Sequence, residues 1–473
     1  MTRPLTLFQK IWNAHAVREL DGDYALLFVD RNVVNDLGAQ GFLTFKERGL
    51  QVRHPELTFG TVDHTVASLA GVADDPQERD NPFAKSLREY GERYGFHVFD
   101  VGQEGHGIVH VVTPELGIAL PGSTLACGDS HTPTVGALGA IAWGTGSSEF
   151  QHVLATQTSI QRKPKNMRVR FVGTLPPSIS GMDLILHTIG QLGVAGGSGH
   201  AVEFAGPVVE ALPMEARFTL CNLAVEMGAR YAIIAPDETT LAYLKGRPHA
   251  PKGTAWDDAC AYWRTLASDA HAVFDKDITI DVTGIEPQVT WGNSPQDVIG
   301  IGACLPDPDA ETDAERARAM SEAFAYMGLE AKAPIAGIPI DWVFIGSCAN
   351  SRIGDLRAAA RIAQGRKVAS GVTAWIVPGS IEVKRQAEDE GLDRVFLDAG
   401  FFWGSPGCSM CGGAGNQFRE VVTAGTRVVS TSNRNFAGRQ GPGSRTHLAS
   451  PAAAAACAIA GCITDLRQFS KAS

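Results

Sequence analysis

The stretch that decides the fold is Trp342-Val-Phe-Ile345, followed by Gly346-Ser-Cys348-Ala-Asn350-Ser-Arg352. Its first four residues form a short apolar run that ends at a glycine, which is typical of a buried strand. A stretch with helical character follows from Gly354 to Ala363. Cys348 is therefore predicted at the junction of a strand and a loop, which is where ligands bind in open α/β sheets.

The same alternation of short strands and helices runs through the rest of the chain. Further buried strands are predicted at Ala25 to Val29, Arg168 to Val172, Ala232 to Ala235, Ala374 to Val377 and Arg427 to Ser430, and further helices at Pro82 to Tyr94, Ala310 to Met327 and Pro451 to Ile463. Strands that alternate with helices predict an α/β fold with mainly parallel sheets covered by helices on both faces. The polar stretch Gln161 to Asn166 is typical of a linker.

The composition argues against several classes of protein. The chain has 473 residues, 44% of them hydrophobic and 19% charged, which suits about two to four globular domains. The formal net charge of −10 argues against nucleic acid or an anionic membrane as a partner, because both bind through basic patches. We find neither a signal peptide nor a run of the roughly 18 apolar residues that a membrane-spanning helix needs. We therefore expect a cytoplasmic protein with no nucleic-acid or membrane partner.

Nine cysteines, an odd number without a secretory signal, argue against a disulfide framework. Three of them, Cys348, Cys408 and Cys411, stand on two predicted loops. Together they could hold three corners of a [4Fe–4S] cluster and leave one iron without a protein ligand, as a catalytic metal site requires. Alone, the pair Cys408 and Cys411 fits half a zinc site, a redox pair or a chance spacing equally well.

Three histidines lie in predicted loops near aspartates. His64 follows Asp63, and His110 lies upstream of the run Asp129-Ser-His131. A carboxylate fixes the tautomer of an imidazole and raises its pKa, which suits the imidazole to acid–base catalysis. A single histidine is more often structural, but three histidines of which two lie beside aspartates favour a catalytic group.

Two further patterns carry functional groups but also have plain structural explanations. Asn222 and Glu226 are spaced so that on a helix they would share one face, as in any amphipathic helix with a polar edge. Arg434 and Arg439 lie around a glycine and could present forked donors to a carboxylate, or could be solvated arginines of a surface turn.

Together these motifs resemble the aconitase superfamily over essentially the whole chain, and within it the large subunits of bacterial 3-isopropylmalate dehydratases. The runs that add to the resemblance are Cys221 to Glu226, Ala235 to Thr240, Tyr262-Trp263, Pro287 to Gly292 and Thr446 to Pro451. The resemblance implies three α/β/α domains around one [4Fe–4S] cluster, at residues 1–163, 164–288 and 289–473. It also implies the conversion of 2-isopropylmalate to 3-isopropylmalate by dehydration and rehydration, in leucine biosynthesis.

The resemblance also implies a role for each candidate residue. It makes Cys348, Cys408 and Cys411 the cluster ligands. It implies that the acid–base groups are Asp63, His64, His110, Asp129, His131 and Glu226. In this set His110 is paired with Asp129 and His131 with Glu226. It implies that the substrate contacts Gln40, Ser130, Asn222, Arg434 and Arg439, and that Asn433 lies near the cluster. Full-length aconitases carry a fourth, swivelling domain with a serine base. No stretch here resembles that domain, so the resemblance implies a separate small subunit that supplies it.

Several positions depart from the pattern of these dehydratases, namely Asn32, Asn35, Val135, Ala349 and Gly412. They leave open a paralogue that acts on another 2-alkylmalate or on a maleate- or citraconate-type diacid. Two interpretations of another class also stay open. One is an RNA-binding iron sensor, against which the net charge argues, and the other is a zinc or thiol-redox protein built on Cys408 and Cys411.

Overall fold

The computed structural model describes residues 3–69, 81–415 and 420–469, and the chain forms two compact units. The first unit contains the described residues up to Val66, those from 81 to Thr174, and Ala195–Val282. The second unit contains residues 67–69, Leu175–Val194 and the described residues from Thr283 onward. Each unit is built around its own β-sheets.

The helices and strands have the following bounds. The α-helices of the first unit are Leu7–His15, Gly41–Glu47, Pro82–Tyr94, Val109–Glu115, Ser147–Thr156, Pro207–Ala211, Met214–Leu223, Glu238–Leu244 and Thr254–Trp263. Those of the second unit are Gly181–Leu192, Ala314–Met327, Ile353–Ala363, Ile381–Asp389, Leu392–Ala399 and Pro451–Ala460. The strands of the first unit are β1 (Ala16–Leu20), β2 (Tyr24–Phe28), β3 (Arg31–Asn35), β4 (Thr58–Thr61), β5 (His97–Phe99), β6 (Thr124–Cys127), β7 (Ile141–Gly144), β8 (Thr158–Arg162), β9 (Lys165–Val172), β10 (His200–Ala205), β11 (Tyr231–Ile234) and β12 (Lys276–Asp281). Those of the second unit are β13 (Gln288–Thr290), β14 (Val298–Gly300), β15 (Trp342–Ile345), β16 (Thr373–Ile376), β17 (Phe402–Trp403), β18 (Arg427–Ser430) and β19 (Arg445–Leu448).

A five-stranded parallel sheet forms the centre of the first unit, with the strand order β5-β4-β3-β6-β7. The chain runs from β3 to one side of the sheet and returns through β6 on the other. Such a reversal leaves a crevice at the carboxyl ends of the central strands. A buried cluster packs beside the sheet and includes Phe42, Phe45, Tyr90, Phe150 and Leu154. It holds the helices Gly41–Glu47, Pro82–Tyr94 and Ser147–Thr156 together.

The first unit also contains a four-stranded parallel sheet, in the order β11-β10-β9-β12, and a three-stranded antiparallel sheet, in the order β1-β2-β8. The strand predicted at Ala25 to Val29 is β2 of the antiparallel sheet, and only one of its faces is buried. Tyr24 is 43% exposed and Phe28 36%, whereas Ala25 and Leu27 are buried. This alternation fits a sheet that faces solvent on one side.

The predicted linker at Gln161 to Asn166 was also wrong. Most of its residues belong to β8 and β9, and Lys163 and Pro164 alone lie between the two strands. The stretch is polar because parts of these strands face solvent, as the exposed Arg162 does. Strand pairing within the unit overrides the local polarity of the sequence.

The second unit has a five-stranded parallel sheet in the order β17-β16-β15-β18-β19 and a two-stranded antiparallel ribbon of β13 and β14. The central strand, β15, is the apolar run that precedes Gly346, and it pairs with β16 on one side and β18 on the other. The carboxyl end of β15 is therefore a second point at which the chain reverses direction across a sheet. The helices Ile353–Ala363 and Pro451–Ala460 pack against each other, closely because the second is rich in buried alanine.

The prediction of an α/β fold with mainly parallel sheets is confirmed. Helix Pro82–Tyr94 has the predicted bounds, since Asn81 caps its start and Gly95 ends it with φ 75°. The helix predicted from Ala310 to Met327 ends as predicted but starts at Ala314, because Asp313 caps it there. The predicted domain ranges each contain a sheet, yet the first two lie mainly in one compact unit, and the division into three stays a prediction. No helix among the described residues is long and apolar enough to cross a membrane.

Candidate active site

Three adjacent strands of the first unit end at one edge of the sheet, and each is followed by acidic or histidine side chains. Asp36 comes directly after β3, Asp63 and His64 follow β4, and Asp129 follows β6. Because β4, β3 and β6 are neighbours and parallel, their carboxyl ends meet. The geometry therefore brings together groups that are far apart in sequence, at the edge where α/β sheets bind ligands.

Asp63 and His64 form a close pair. The carboxylate of Asp63 lies 2.6 Å from His64 Nδ1 and also accepts the backbone N–H of Val109 at 2.8 Å. The side chain of Asp63 is fully buried, whereas 20% of the His64 side chain is exposed. Burial raises the pKa of Asp63, although the charge of His64 acts in the opposite direction. The buried carboxylate of Asp63 thus orients an imidazole that is itself partly exposed.

Asp129 contacts all three histidines. Its Oδ1 lies 2.8 Å from His110 Nε2 and accepts the backbone N–H of His131 at 2.8 Å, and its Oδ2 lies 3.4 Å from His64 Nε2. Although burial opposes the shift, the charges and hydrogen bonds of His110 and His64 hold the pKa of Asp129 well below its usual range. The sequence analysis predicted His110 in a loop, but it lies in the first turn of helix Val109–Glu115.

The third histidine pairs with a residue from a distant segment. His131 Nε2 lies 2.8 Å from Glu226 Oε1, and both side chains are largely buried, at 5% and 12% exposed. Asn222 donates to the hydroxyl of Thr134 at 2.8 Å. Asn222 and Glu226 do not share one helix face. The α-helix that contains Asn222 ends at Leu223, and Glu226 belongs to the 3₁₀ helix that follows.

Two residues that the sequence did not single out as site residues also contact His64. Asp36 accepts the backbone N–H of His64 at 3.1 Å and that of Thr65 at 2.6 Å, which fixes the loop after β4. Asn35 Nδ2 lies 3.2 Å from His64 Nδ1, and Asn35 Oδ1 accepts the N–H of Gly38 at 2.8 Å. The signal that could have identified both is their position directly at the carboxyl end of β3.

Two predicted substrate residues lie at the periphery. Ser130 is exposed, and its hydroxyl is 3.3 Å from His131 Nδ1. Gln40 is exposed at the start of helix Gly41–Glu47. Among the described residues, no hydrogen bond joins the Gln40 side chain to the histidines, and its role stays a prediction.

The second unit brings its three candidate ligand cysteines together. Cys348 follows β15, and Asn433 follows β18. The amide of Asn433 lies between two of the thiols, with Nδ2 3.4 Å from the sulfur of Cys348 and Oδ1 3.6 Å from that of Cys411. Arg439 Nη2 lies 3.6 Å from the Cys411 sulfur. Although burial opposes the shift, the negative charges of Cys411, Cys408 and Cys348 raise the pKa of Arg439.

The loop that carries Cys348 is held by backbone contacts. Gly346 donates to the hydroxyl of Thr431 at 2.9 Å, and Asn350 donates to the Thr431 carbonyl at 2.9 Å. Ser347 has a φ of 79°, a left-handed conformation that costs about 1 kcal/mol or more in a residue with a side chain. In this conformation its Oγ is 3.2 Å from the sulfur of Cys411. Arg434 is half-buried on the loop after β18.

The donor set fits an iron–sulfur cluster. Cys348, Cys408 and Cys411 are only 6–7% exposed, and an amide and a guanidinium point toward their sulfurs. Such donors stabilise thiolates and tune a bound cluster. None of the nine cysteines forms a disulfide. Burial raises the pKa of Cys127 and Cys221, which identifies these two as core thiols.

The chain resembles known proteins in family profile, in sequence and in structure. The profile of the aconitase family (aconitate hydratase) matches residues 9–461. The 3-isopropylmalate dehydratase large subunit 1 of Bradyrhizobium diazoefficiens is 54% identical over 471 residues, which cover 99% of this chain and 98% of the relative. The crystal structure of Thermococcus kodakaraensis aconitase X in its holo-form matches 92% of each chain, with 13% sequence identity and a TM-score of 0.46.

Proposed function

Because the chain belongs to the aconitase family, we propose that it is the large subunit of a hydro-lyase that isomerises 2-isopropylmalate to 3-isopropylmalate. The observation that carries the proposal is the 54% identity, over 99% of this chain, to a 3-isopropylmalate dehydratase large subunit. An identity of this size over nearly the full length supports the same reaction. The chain would then act in leucine biosynthesis. The cytoplasmic location stays a prediction.

Family membership implies a [4Fe–4S] cluster, and we propose that Cys348, Cys408 and Cys411 hold it. The support is the contact of Asn433 with Cys348 and Cys411, the contact of Arg439 with Cys411, and the effect of the charge of Cys408 on Arg439. With three sulfur ligands, one iron would carry no cysteine. When bound, the cluster supplies a Lewis acid for the hydroxyl and one carboxylate of the substrate.

We assign proton transfer to the three histidine–carboxylate pairs. Dehydration removes the hydroxyl from one carbon and a proton from its neighbour, and the resulting cis-alkene diacid takes water back with the hydroxyl on the other carbon. His64 is the proposed acid that protonates the departing oxygen, since Asp63 orients the ring from Nδ1 at 2.6 Å and Asp129 lies 3.4 Å from Nε2. The contacts of His110 with Asp129 and of His131 with Glu226 would fix the tautomers of these rings.

The substrate carboxylates are proposed to bind Arg434 and Arg439, with polar contacts from Ser130, Asn222 and Gln40. Arg439 is the best supported of these, because its guanidinium is always charged and lies 3.6 Å from the sulfur of Cys411, beside the proposed cluster. Gln40 has the least support, since its side chain is exposed and makes no hydrogen bond to the histidine pairs among the described residues.

A separate small subunit is the proposed partner. The relative is named as a large subunit, which supports a second polypeptide in the functional enzyme. We propose that this polypeptide supplies the base that removes the proton from carbon. The chain described here would contribute the cluster, the acid–base histidines and the arginines.

A different diacid is the second candidate substrate. It is favoured by Asn35, which contacts His64 at 3.2 Å and stands where these dehydratases usually have another residue. The substituted positions Asn32, Val135, Ala349 and Gly412 point the same way. The candidate would be another 2-alkylmalate or a maleate- or citraconate-type acid.

A substrate panel tests the proposal. The chain is reconstituted with its cluster anaerobically, combined with its cognate small subunit, and assayed on 2-alkylmalates of increasing side-chain size and on maleate and citraconate. We expect the highest kcat/KM for 2-isopropylmalate. A clear preference for another of these acids would replace the substrate but keep the reaction class. No hydro-lyase activity on any of them, with a full cluster and both subunits present, would contradict the proposal.

A further inference from the structure

The first unit contains a recess at the edge of the five-stranded sheet opposite the histidine pairs. It has a volume of about 440 Å³ and lies at the amino end of β3, whereas the histidine pairs follow the carboxyl ends of β3, β4 and β6. This size suits a small organic molecule. Its walls are mainly apolar or aromatic and include Ile118, Leu120, Pro121, Ala259, Tyr262 and Trp263.

An ion pair of His15 and Asp30 lies at one end of the recess, and the charge of each side chain is balanced by the other. His15 Nε2 lies 2.8 Å from Asp30 Oδ2, and His15 Nδ1 lies 2.7 Å from the carbonyl of Ile11. Asp30 also accepts the N–H and the hydroxyl of Thr124. Although burial acts in the opposite directions, the pair raises the pKa of His15 and lowers that of Asp30. The negative charge of Asp30 is therefore already balanced by His15.

Arg31 adds a positive charge that, among the described residues, is in no ion pair, although the charge of Asp30 attracts it. Within the described residues, its guanidinium makes a single hydrogen bond, from Nη1 to the backbone carbonyl of Asp30 at 2.8 Å. Burial lowers the pKa of Arg31 despite the attraction of Asp30. The pKa of the neighbouring His249 is lowered by burial and then by the charges of nearby groups, Arg31 among them. A half-buried cation without an anionic partner is costly in a folded protein.

We propose that this recess binds a small carboxylic acid with an apolar tail, whose carboxylate pairs with the unused N–H groups of Arg31. The planar guanidinium can present two of these groups to one carboxylate. The tail then packs on Leu120, Pro121 and Tyr262, the last of which is 47% exposed without a ligand. The site is separate from the histidine pairs, and it does not depend on the proposed reaction.

Titration calorimetry on the full-length chain tests this site with 4-methylpentanoate as the probe and 4-methylpentanamide as its uncharged counterpart. We expect the acid to bind with a dissociation constant of about 1 mM or lower, and the amide to bind at least ~10-fold more weakly, because it lacks the charge that Arg31 recognises. Absence of binding by the acid up to ~10 mM, or equal affinity for acid and amide, would overturn the proposal.

Variants separate this site from general effects of charge. Arg31→Gln should weaken acid binding by roughly 10-fold or more, and Arg31→Lys by less. Arg48→Gln, at an exposed arginine after helix Gly41–Glu47, is the matched control and should bind the acid as the unaltered chain does. If Arg31→Gln fails to fold, Tyr262→Ser, at an exposed position, should weaken the acid by lost packing. Unchanged affinity in a folded Arg31→Gln chain, or in Tyr262→Ser when that variant has to be used, contradicts the assignment.

Discussion

At the scale of single residues, the sulfur atoms of three cysteines define the proposed cluster site. Cys348→Ser, Cys408→Ser and Cys411→Ser should each prevent stable cluster assembly, because each removes one of three thiolate ligands. Iron and sulfide are measured after anaerobic reconstitution, and the unaltered chain should hold about four of each. Cys304→Ser, at an exposed cysteine, is the control and should keep the full content. The ligand assignment is wrong if all three ligand variants also keep it.

The pair of His131 and Glu226 belongs to the same scale. If the buried carboxylate holds the imidazole for proton transfer, His131→Ala should reduce turnover by roughly 10²–10⁴-fold, and Glu226→Gln should also reduce it, by less. Cluster content should not change in either variant. The matched control is His271→Ala, at an exposed histidine. Normal turnover in His131→Ala with a full cluster would leave this histidine a structural role only.

At the scale of elements, the segment that carries His131 rests directly on β11. Gly136 lies in the 3₁₀ helix that follows His131, and a Cβ atom there would come within 1.8 Å of the Ala232 carbonyl oxygen. Gly136→Ala should therefore lower the free energy of unfolding by about 1–3 kcal/mol or more and displace His131. Gly146→Ala, where the added atom meets nothing within 4 Å, is the control. Equal denaturant midpoints for the two variants would contradict this packing argument.

A buried glutamate makes β10 sensitive to pH. Burial raises the pKa of Glu203 from 4.5 to about 7, although the hydrogen bond from Ser268 acts in the opposite direction. The folded chain thus binds this proton more tightly than the unfolded chain, so its contribution to stability is complete below pH 4.5 and is lost as the pH rises through about 7.

Glu203→Gln removes this titration and keeps an acceptor for Ser268. The variant should be more stable than the unaltered chain at pH 8, by about 1–3 kcal/mol, and no more stable at pH 4.5. Thermal unfolding at the two pH values measures the difference. A stability difference that is the same at both pH values would show that Glu203 does not titrate as inferred.

At the scale of the whole molecule, the proposed function depends on a second polypeptide. We expect the isolated chain to fold and to bind a cluster but to have little or no isomerase activity, because in this proposal the small subunit supplies the base and excludes water. Addition of the cognate small subunit should restore activity in proportion to the complex formed. A stable complex should bury more than ~1,200 Å² in total. Full turnover by the chain alone, with no second polypeptide detected by mass spectrometry, would refute the two-subunit proposal.

The sequence by itself determined the class of fold and the chemical groups of the site. The apolar run Trp342–Ile345 before a glycine is the central strand β15, because a short apolar segment between turn residues has few alternatives to a buried strand. The aspartates and histidines that follow β4 and β6 were identifiable because they lie close together in the sequence, although neither strand was predicted. These patterns involve residues close together in the chain, so they can be recognised in a single sequence.

Only the tertiary structure decided which of these groups meet. His131 and Glu226 are 95 residues apart, and no local pattern states that they touch. The contacts of Asp36 and Asn35 with His64 depend on the order of β4, β3 and β6, which is set by how the sheet buries its strands. Likewise, the run Ala25 to Val29 was predicted as a buried strand, but in the antiparallel sheet one face of β2 is exposed, as Phe28 shows. Long-range pairing is decided by packing of the whole unit, and packing is not written in any short stretch of the chain.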